Sequence, residues 1–418
     1  MDRMLIDGGV TLNGKVKVSG AKNSILPLLF STLLAKGKHR FTNVPKLADV
    51  DSALKLLQEL GASYSWEGNS LEVVTNDLTS NEAHYDIVRK MRASILCMGP
   101  LLARTGSASV SLPGGCAIGS RPIDLHLEAF QEMGASIENK SGYIIATAKP
   151  LKGANILFDI TTVGGTENVM MAAVLAEGST TIENAAKEPE IIDLAEYLNK
   201  MGANVVGAGT GVISITGVKE LKPATHEVVP DRIEAGTLLI AGAITGGDVE
   251  VLDCRPKDIE TLIHKLRESG FKVDEGEDWV RVFPNKSWKA VDITTAAHPG
   301  FPTDLQAQFM ALMTVAQGTS VISETIFENR FMHVQELARL GADIQPKSRV
   351  AVVRGKKNLT AAPVMATDLR ASASLILAGL IAKGTTEVLR IYHLDRGYEK
   401  LEVKLSSLGA KIRREKEA

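Results

Sequence analysis

Apolar positions along the chain fall into short helical and strand-like stretches separated by glycine. Ile259, Leu262, Ile263 and Leu266 recur at i, i+3, i+4 and i+7, as do Leu194, Tyr197, Leu198 and Met201. Leu401, Leu405 and Leu408 follow i, i+4, i+7. This spacing predicts amphipathic helices. Each ends at a glycine, the residue that most readily adopts the left-handed conformation of a helix stop. Apolar residues then alternate or run together, as in Ile213-Ser214-Ile215-Thr216 and Val350-Ala351-Val352-Val353, which predicts strands.

The helix-ending glycines recur about every 70 residues, a period that marks internal repeats. Leu60-Gly61-Ala62 returns as Met133-Gly134-Ala135, Met201-Gly202-Ala203, Ser269-Gly270-Phe271, Leu340-Gly341-Ala342 and Leu408-Gly409-Ala410. A second series, Gly37, Gly106, Gly178, Gly247, Gly318 and Gly384, precedes the first and mostly opens a strand. Each unit therefore reads as helix, strand, helix and strands. Units of this length can hold small cores, which favours two lobes of three units over an open solenoid. The break is expected near Lys219 to Pro230, giving a first lobe over 22–229 and a second over 1–21 plus 230–418. The segment from Gly8 to Val18 resembles the final strand of a unit and is expected to complete the second lobe.

Composition narrows the class. The chain of 418 residues is too long for one compact core. Its net charge of −2 shows none of the basic excess of a nucleic-acid-binding domain. Cys97, Cys116 and Cys254 form no CxxC pair, which fits a reducing compartment. The amino-terminal residues lack a signal-peptide core, and apolar stretches such as 371–382 are too short to span a bilayer. A cytoplasmic location, with no membrane partner, is expected. No P-loop or His-Glu-x-x-His motif is present, the eight histidines are scattered, and Gly207-x-Gly209-x-Gly211 reads as a hairpin turn. No metal or cofactor is expected.

Candidate chemistry concentrates in three loops and a set of arginines. Gly20-Ala21-Lys22-Asn23-Ser24 puts a lysine near the start of a helix over 26–34, where an ammonium and free N–H groups favour an anion. A solvated lysine beside an Asn or Ser cap is the alternative. The loop from Leu112 to His126 holds three glycines and two prolines with Cys116 among them, a composition suited to a lid. Arg121 nearby would favour a thiolate. Cys97 reads as a core residue, and Cys254 has no obvious partner. In His298-Pro299-Gly300-Phe301-Pro302-Thr303-Asp304, ahead of a helix over 309–315, Asp304 could cap that helix or take a proton from a hydroxyl. Arg330, Arg370 and Arg396 each fall near the start of a helix-like segment in the last two repeats. They could converge on a carboxylate or phosphate, or form surface ion pairs with Asp368 and Asp395.

Taken in order, these segments resemble the enolpyruvyl transferases that act on UDP-N-acetylglucosamine. The resemblance runs nearly end to end. It rests on Gly20-Ala21-Lys22-Asn23, Pro113-Gly114-Gly115-Cys116, Arg121-Pro122-Ile123-Asp124-Leu125-His126, the segment Glu183 to Glu190, Pro299 to Asp304, and His393-Leu394-Asp395-Arg396-Gly397-Tyr398-Glu399. It implies an α/β fold of two inside-out, barrel-like lobes, each of three βαβαββ repeats, with the active site in the cleft between them. It implies that phosphoenolpyruvate and UDP-N-acetylglucosamine are the substrates and that no cofactor takes part.

The resemblance also implies roles. Lys22, Arg121 and Arg396, with Asn23, would hold the phosphate of phosphoenolpyruvate. Arg330 and Arg370 would grip its carboxylate side or order the site. Arg92, Arg121, Pro122, Ile123, Asp124, Leu125, Thr162, Val163, Gly164, Asp304 and Ile326 would contact the sugar nucleotide. Asp304 would act as the base and Cys116 as a proton donor that can also form an adduct. The family often has Ser-Val-Gly-Ala where this chain has Thr162-Val163-Gly164-Gly165, a change that keeps the hydroxyl. Two rival expectations are transfer to shikimate 3-phosphate and a catalytically silent sugar-nucleotide-binding relative.

Overall fold

The computed structural model describes residues 2–89, 91–112 and 123–416. They divide into two compact units, one holding residues 20–112 and 123–229, the other residues 2–19 and 230–416. Each unit contains three four-stranded sheets of one topology.

The sheet around Ser179–Glu183 is representative. Asn155–Leu157 runs parallel to Ser179–Glu183, which is antiparallel to Val212–Thr216, itself antiparallel to Asn204–Val206. A parallel pair needs a long crossover, supplied here by the helix Val163–Ala173. The last two strands form a hairpin closed by the turn containing Gly207, Gly209 and Gly211. Ser179–Glu183 and Val212–Thr216 alternate buried and less buried residues, so one face of the sheet covers the core.

Each unit closes on itself with a borrowed strand. Thr225–Glu227, at the end of the first unit's chain, pairs in parallel with Gly37–Thr42 at its beginning. In the other unit the amino-terminal segment serves two sheets. Asp2–Asp7 lies antiparallel between Thr385–Leu389 and Lys411–Lys416, taking the final-strand place of the sixth repeat. Asn13–Lys17 pairs in parallel with Asp248–Leu252, the opening-strand place of the fourth. The expectation for Gly8 to Val18 is corrected accordingly: the final strand lies before it, and its own strand is an initial one. Repeat boundaries blur in sequence because chain ends and repeat ends do not coincide.

Two kinds of helix fill each unit. Crossover helices are enclosed all round: in Arg232–Ile244 every residue from Ile233 on is buried, and in Gln306–Met313 every residue is. Lys22–Ser31, Val163–Ala173 and Leu369–Ile381 are enclosed almost as fully. Such helices carry no amphipathic stripe, and each buried Leu, Ile or Phe contributes roughly 1.5–3 kcal/mol. Outer helices, such as Pro189–Lys200 and Glu260–Ser269, bury one face and expose the other. These are the helices whose periodicity is visible in the sequence.

All six helix-ending glycines have positive φ, from 88° at Gly134 to 106° at Gly61. In the second series the fourth member differs from the other five, which have positive φ: there Gly246, with φ 65°, takes the left-handed conformation instead of Gly247. Gly247 is required for a different reason, since a Cβ there would fall 2.0 Å or less from the Leu12 carbonyl oxygen, at 1.9 Å. Among the described residues no helix is long and apolar enough to cross a membrane.

Candidate active site

The candidate residues cluster where the enclosed helices begin. Lys22 is the first residue of Lys22–Ser31, Arg92 opens the turn Arg92–Cys97 that leads into Met98–Thr105, and Thr162 caps Val163–Ala173. In the other unit Asp231 caps Arg232–Ile244, Asp304 lies in the turn Thr303–Leu305 before Gln306–Met313, and Asp368 caps the helix bearing Arg370. Equivalent repeats thus put candidate residues at like positions in their elements, and helix amino ends carry partial positive charge and free N–H groups. That environment suits anionic ligands.

In the carboxy-terminal unit, Asp304 sits between two arginines. Arg330 Nη2 donates to Asp304 Oδ1 at 2.9 Å and Arg370 Nη2 to Oδ2 at 2.7 Å. Both arginine side chains are only 3% exposed, against 24% for Asp304. Arg330 Nη1 and Arg370 Nε and Nη1 are buried without a hydrogen-bond partner among the described residues. Burial works against the Arg370 charge, but Asp304, Tyr398 and Asp231 outweigh it, so the guanidinium holds its proton more firmly than usual. Unmatched guanidinium N–H groups at the end of an enclosed helix are suited to a bidentate carboxylate or phosphate.

Two hubs hold this arrangement. Gln308 Nε2 donates to the Asp304 carbonyl at 2.9 Å and to the Tyr398 hydroxyl at 3.0 Å, and Tyr398 also bonds Thr237 at 2.9 Å. The Arg370 guanidinium lies 5.4 Å from the centre of the Tyr398 ring, within cation–π range. Glu324, buried, accepts from Thr295 Oγ1 and Thr303 Oγ1 at 2.8 Å each and from the Ile326 and Phe327 amides at 2.8 and 3.2 Å. One carboxylate thereby fixes both the turn bearing Asp304 and the segment from Ile326 toward Arg330.

Three expectations change here. Arg330 lies in a turn ahead of Val334–Arg339, and Arg396 ends the turn Ile391–Arg396, so only Arg370 stands within the first turn of a helix. The ion pairs with Asp368 and Asp395 do not form as the alternative supposed. Asp368 accepts from the Arg370 and Ala371 amides, and Asp395 pairs with Arg414 at 2.6 Å. Asp304 lies one residue before the helix-preceding Leu305, where no side-chain cap bond forms.

In the amino-terminal unit Lys22 pairs with Asp49 at 3.1 Å and is 13% exposed. Neither Asn23 nor Ser24 caps the helix. Ser24 instead bonds Asp193, which accepts from His226 Nε2 at 2.8 Å, and Lys200 Nζ lies 2.9 Å from His226 Nδ1. This buried chain ties the first turn after Lys22 to the helix Pro189–Lys200 and the closing strand Thr225–Glu227. Nearby, burial, with Glu190 and Glu188 adding to it, pushes the Glu167 carboxyl well above the usual carboxylate range.

The expected sugar-nucleotide residues are partly assembled in this unit. The Thr162 hydroxyl accepts from the Gly165 amide at 3.1 Å and so caps its own helix. The hydroxyl shared with the family's serine therefore has a structural role here. Val163, 37% exposed, and Gly164 follow at the helix start. Ile123 is half-buried against the core, Asp124 opens the helix Asp124–Glu132, and Leu125 packs beside it. Ile326, in the other unit, is 38% exposed. Cys116, Arg121 and Pro122 lie outside the described residues. Cys97 and Cys254 are buried, and burial pushes both thiols up to about 12.

Sequence reasoning missed Asp193, His226, Glu324, Gln308, Tyr398, Glu167 and Asn168 as supporting groups. A signal existed for some of them. Glu167 and Asn168 interrupt the apolar helix Val163–Ala173, and Gln308 interrupts Gln306–Met313. A polar side chain in an enclosed helix must find partners.

The chain matches the family model described as EPSP synthase (3-phosphoshikimate 1-carboxyvinyltransferase) over residues 6–405. It is 67% identical over 412 residues to the UDP-N-acetylglucosamine 1-carboxyvinyltransferase of Bdellovibrio bacteriovorus, covering 98% of this chain and 100% of that protein. The protein of the same name from Myxococcus xanthus is 58% identical over 419 residues, with both chains fully covered. Among solved structures, the enolpyruvyl transferase NikO from Streptomyces tendae superposes with a TM-score of 0.89 at 25% identity, covering 100% of this chain and 99% of that one. EPSP synthase from Acinetobacter baumannii shares the fold, with a TM-score of 0.77 at 18% identity and full coverage of both chains. The two-lobed α/β fold of βαβαββ repeats is that of the enolpyruvyl transferases, and the chain belongs to the EPSP synthase family, within it to the UDP-N-acetylglucosamine 1-carboxyvinyltransferases.

Proposed function

We propose that this protein transfers the enolpyruvyl group of phosphoenolpyruvate to the 3-hydroxyl of UDP-N-acetylglucosamine and releases phosphate, the first committed step of peptidoglycan synthesis. The observation that carries this reading is identity of 55–67% with curated proteins of that activity along nearly the whole chain. Asp304 between two buried arginines with unmatched N–H groups supports it chemically.

The reaction is an addition followed by an elimination. Asp304 takes the proton of the 3-hydroxyl as the oxygen attacks C2 of the enol, while Cys116 delivers a proton to C3, which becomes a methyl group. The resulting ketal loses a C3 proton and phosphate, restoring the double bond. Lys22, Arg121 and Arg396, with Asn23, hold the phosphate. Arg370 and Arg330 hold the carboxylate. An anion engaging Arg370 competes with Asp304 for that guanidinium and frees a carboxylate oxygen for the hydroxyl. Arg92, the segment from Arg121 to Leu125, Thr162 to Gly164 and Ile326 hold the sugar nucleotide. Positioned acid–base groups contribute typically about 10²–10⁴-fold, and each preorganised cation about 10²–10³-fold. The cytoplasm, where phosphoenolpyruvate is made, is the proposed location.

The family model bears the name of the shikimate enzyme, so acceptor choice is the point to test. Phosphate release is measured with phosphoenolpyruvate and either UDP-N-acetylglucosamine or shikimate 3-phosphate. Turnover with the sugar nucleotide alone is expected; turnover with shikimate 3-phosphate alone would reverse the assignment.

A further inference from the structure

The enclosed helix Val163–Ala173 carries an amide, Asn168, that is fully buried and makes three bonds to three separate elements. Its Oδ1 accepts from the Gly99 amide at 2.8 Å, and its Nδ2 donates to the Ile95 carbonyl at 3.0 Å. A backbone N–H can only donate and a backbone carbonyl can only accept. These two bonds therefore fix which end of the side chain is nitrogen. The third bond joins Nδ2 to His126 Nδ1 at 3.1 Å. With Nδ2 as the donor, Nδ1 must be the acceptor, and the proton of a neutral His126 ring resides on Nε2. The same amide sets the tautomer of the imidazole and anchors the turn Arg92–Cys97.

His126 is buried, and the edge of its ring lies over the start of the same helix. A Cβ built on Gly164 would stand 3.3 Å from His126 Cε1 and 3.6 Å from Nε2. Glycine at this position lets the ring approach the helix end. Burial, with the Arg92 charge adding to it, lowers the His126 pKa to about 4, so the ring is neutral in the physiological range. Neutral, it does not bind an anion by charge. It can offer one oriented N–H group.

We propose that Asn168 is a positioning residue that holds His126 in its Nε2-protonated form, and that the His126 Nε2–H donates to the diphosphate of the sugar nucleotide at the Thr162–Gly164 helix start. The inference rests on the functional reading above and deepens its sugar-nucleotide subsite. Arg92 supplies charge there, and His126 supplies a donor whose direction does not change with pH.

Two experiments test it. Heteronuclear NMR of the full chain with ¹⁵N-labelled histidine reads the tautomer directly. The expected result for His126 is a protonated Nε2, an unprotonated Nδ1 and no titration between pH 5.5 and 8. A proton on Nδ1, or titration in that range, overturns the assignment of Asn168. Calorimetry with UDP-N-acetylglucosamine then compares the wild type with His126→Leu and Asn168→Asp. A lost hydrogen bond to a charged group is worth roughly 10- to 100-fold in affinity, and His126→Leu is expected to weaken binding by about that factor. Asn168→Asp would accept from Nδ1–H and reverse the tautomer, turning a lone pair toward the ligand. Its binding is expected to fall similarly, with the proton moved to Nδ1. Unchanged affinity in His126→Leu overturns the donor role even if Asn168→Asp fails to fold. Failure of the wild type to bind the sugar nucleotide would sink the functional reading and the donor role with it, while the tautomer would still be decided by NMR.

Discussion

Replacing Asp304 with Asn is expected to lower turnover by about 10²–10⁴-fold, the range lost when a positioned general base is removed. The amide keeps the shape of the carboxylate but cannot take a proton. The substitution also removes the one carboxylate to which Arg330 and Arg370 both donate. Two guanidinium groups, each 3% exposed, are left facing a neutral amide. Removing one member of a buried ion pair costs about 3–5 kcal/mol, so denaturant unfolding is expected to shift as well. Measuring phosphate release on protein shown to be folded separates the two effects. A folded variant with full turnover would remove Asp304 from proton transfer and leave it a counter-ion.

The second large effect is expected at Asp193, which lies just beyond the segment Glu183 to Glu190. Its carboxylate accepts from Ser24 and His226, and its side chain is fully buried, with His226 1% exposed. Asp193→Ala leaves a hydroxyl and an imidazole without their acceptor beside the Lys200 ammonium. The expected loss is about 3–5 kcal/mol of stability, read as a lower urea midpoint. Asp193→Asn, which can still accept one of the two bonds, is expected to lose less. Equal stability of Asp193→Ala and wild type would show that the chain from Ser24 to Lys200 does not brace the helix bearing Lys22.

The repeat was legible because its signal is backbone geometry. Six helix ends need a left-handed residue, and glycine supplies it at near-constant spacing. Outer helices were legible because they have two faces. The enclosed helices were read too late in the chain, over 26–34 and 309–315, whereas they begin at Lys22 and Gln306. Their first turns hold Lys, Asn, Ser and Gln, which interrupt an apolar pattern that has no stripe to extend. The amino-terminal strands were misassigned because pairing is set across the whole chain: Asp2–Asp7 finds partners near residues 385 and 411.

The site divides the same way. Residues at the start of an enclosed helix or in the turn before it, such as Lys22 and Asp304, stand out by glycine or proline ahead of them. Arg370 stands in the first turn of an enclosed helix and Arg330 in a turn ahead of an outer one, and their partner could not be guessed from neighbours, since Asp368 is consumed by a helix cap and Asp395 by Arg414. Supporting residues such as Glu324 and Asn168 are defined by what folds against them. Glu324 matters because Thr295, Thr303, Ile326 and Phe327 all turn donors toward it.

The sequence of bond changes can be followed with an isotope. Turnover of phosphoenolpyruvate and UDP-N-acetylglucosamine in heavy water passes through a methyl group at C3 if addition precedes elimination. The isolated product should then be an enol ether on the sugar 3-oxygen with deuterium in its vinyl methylene, detected by proton NMR and mass. An enol ether free of deuterium, or no enol ether at all, would contradict the account.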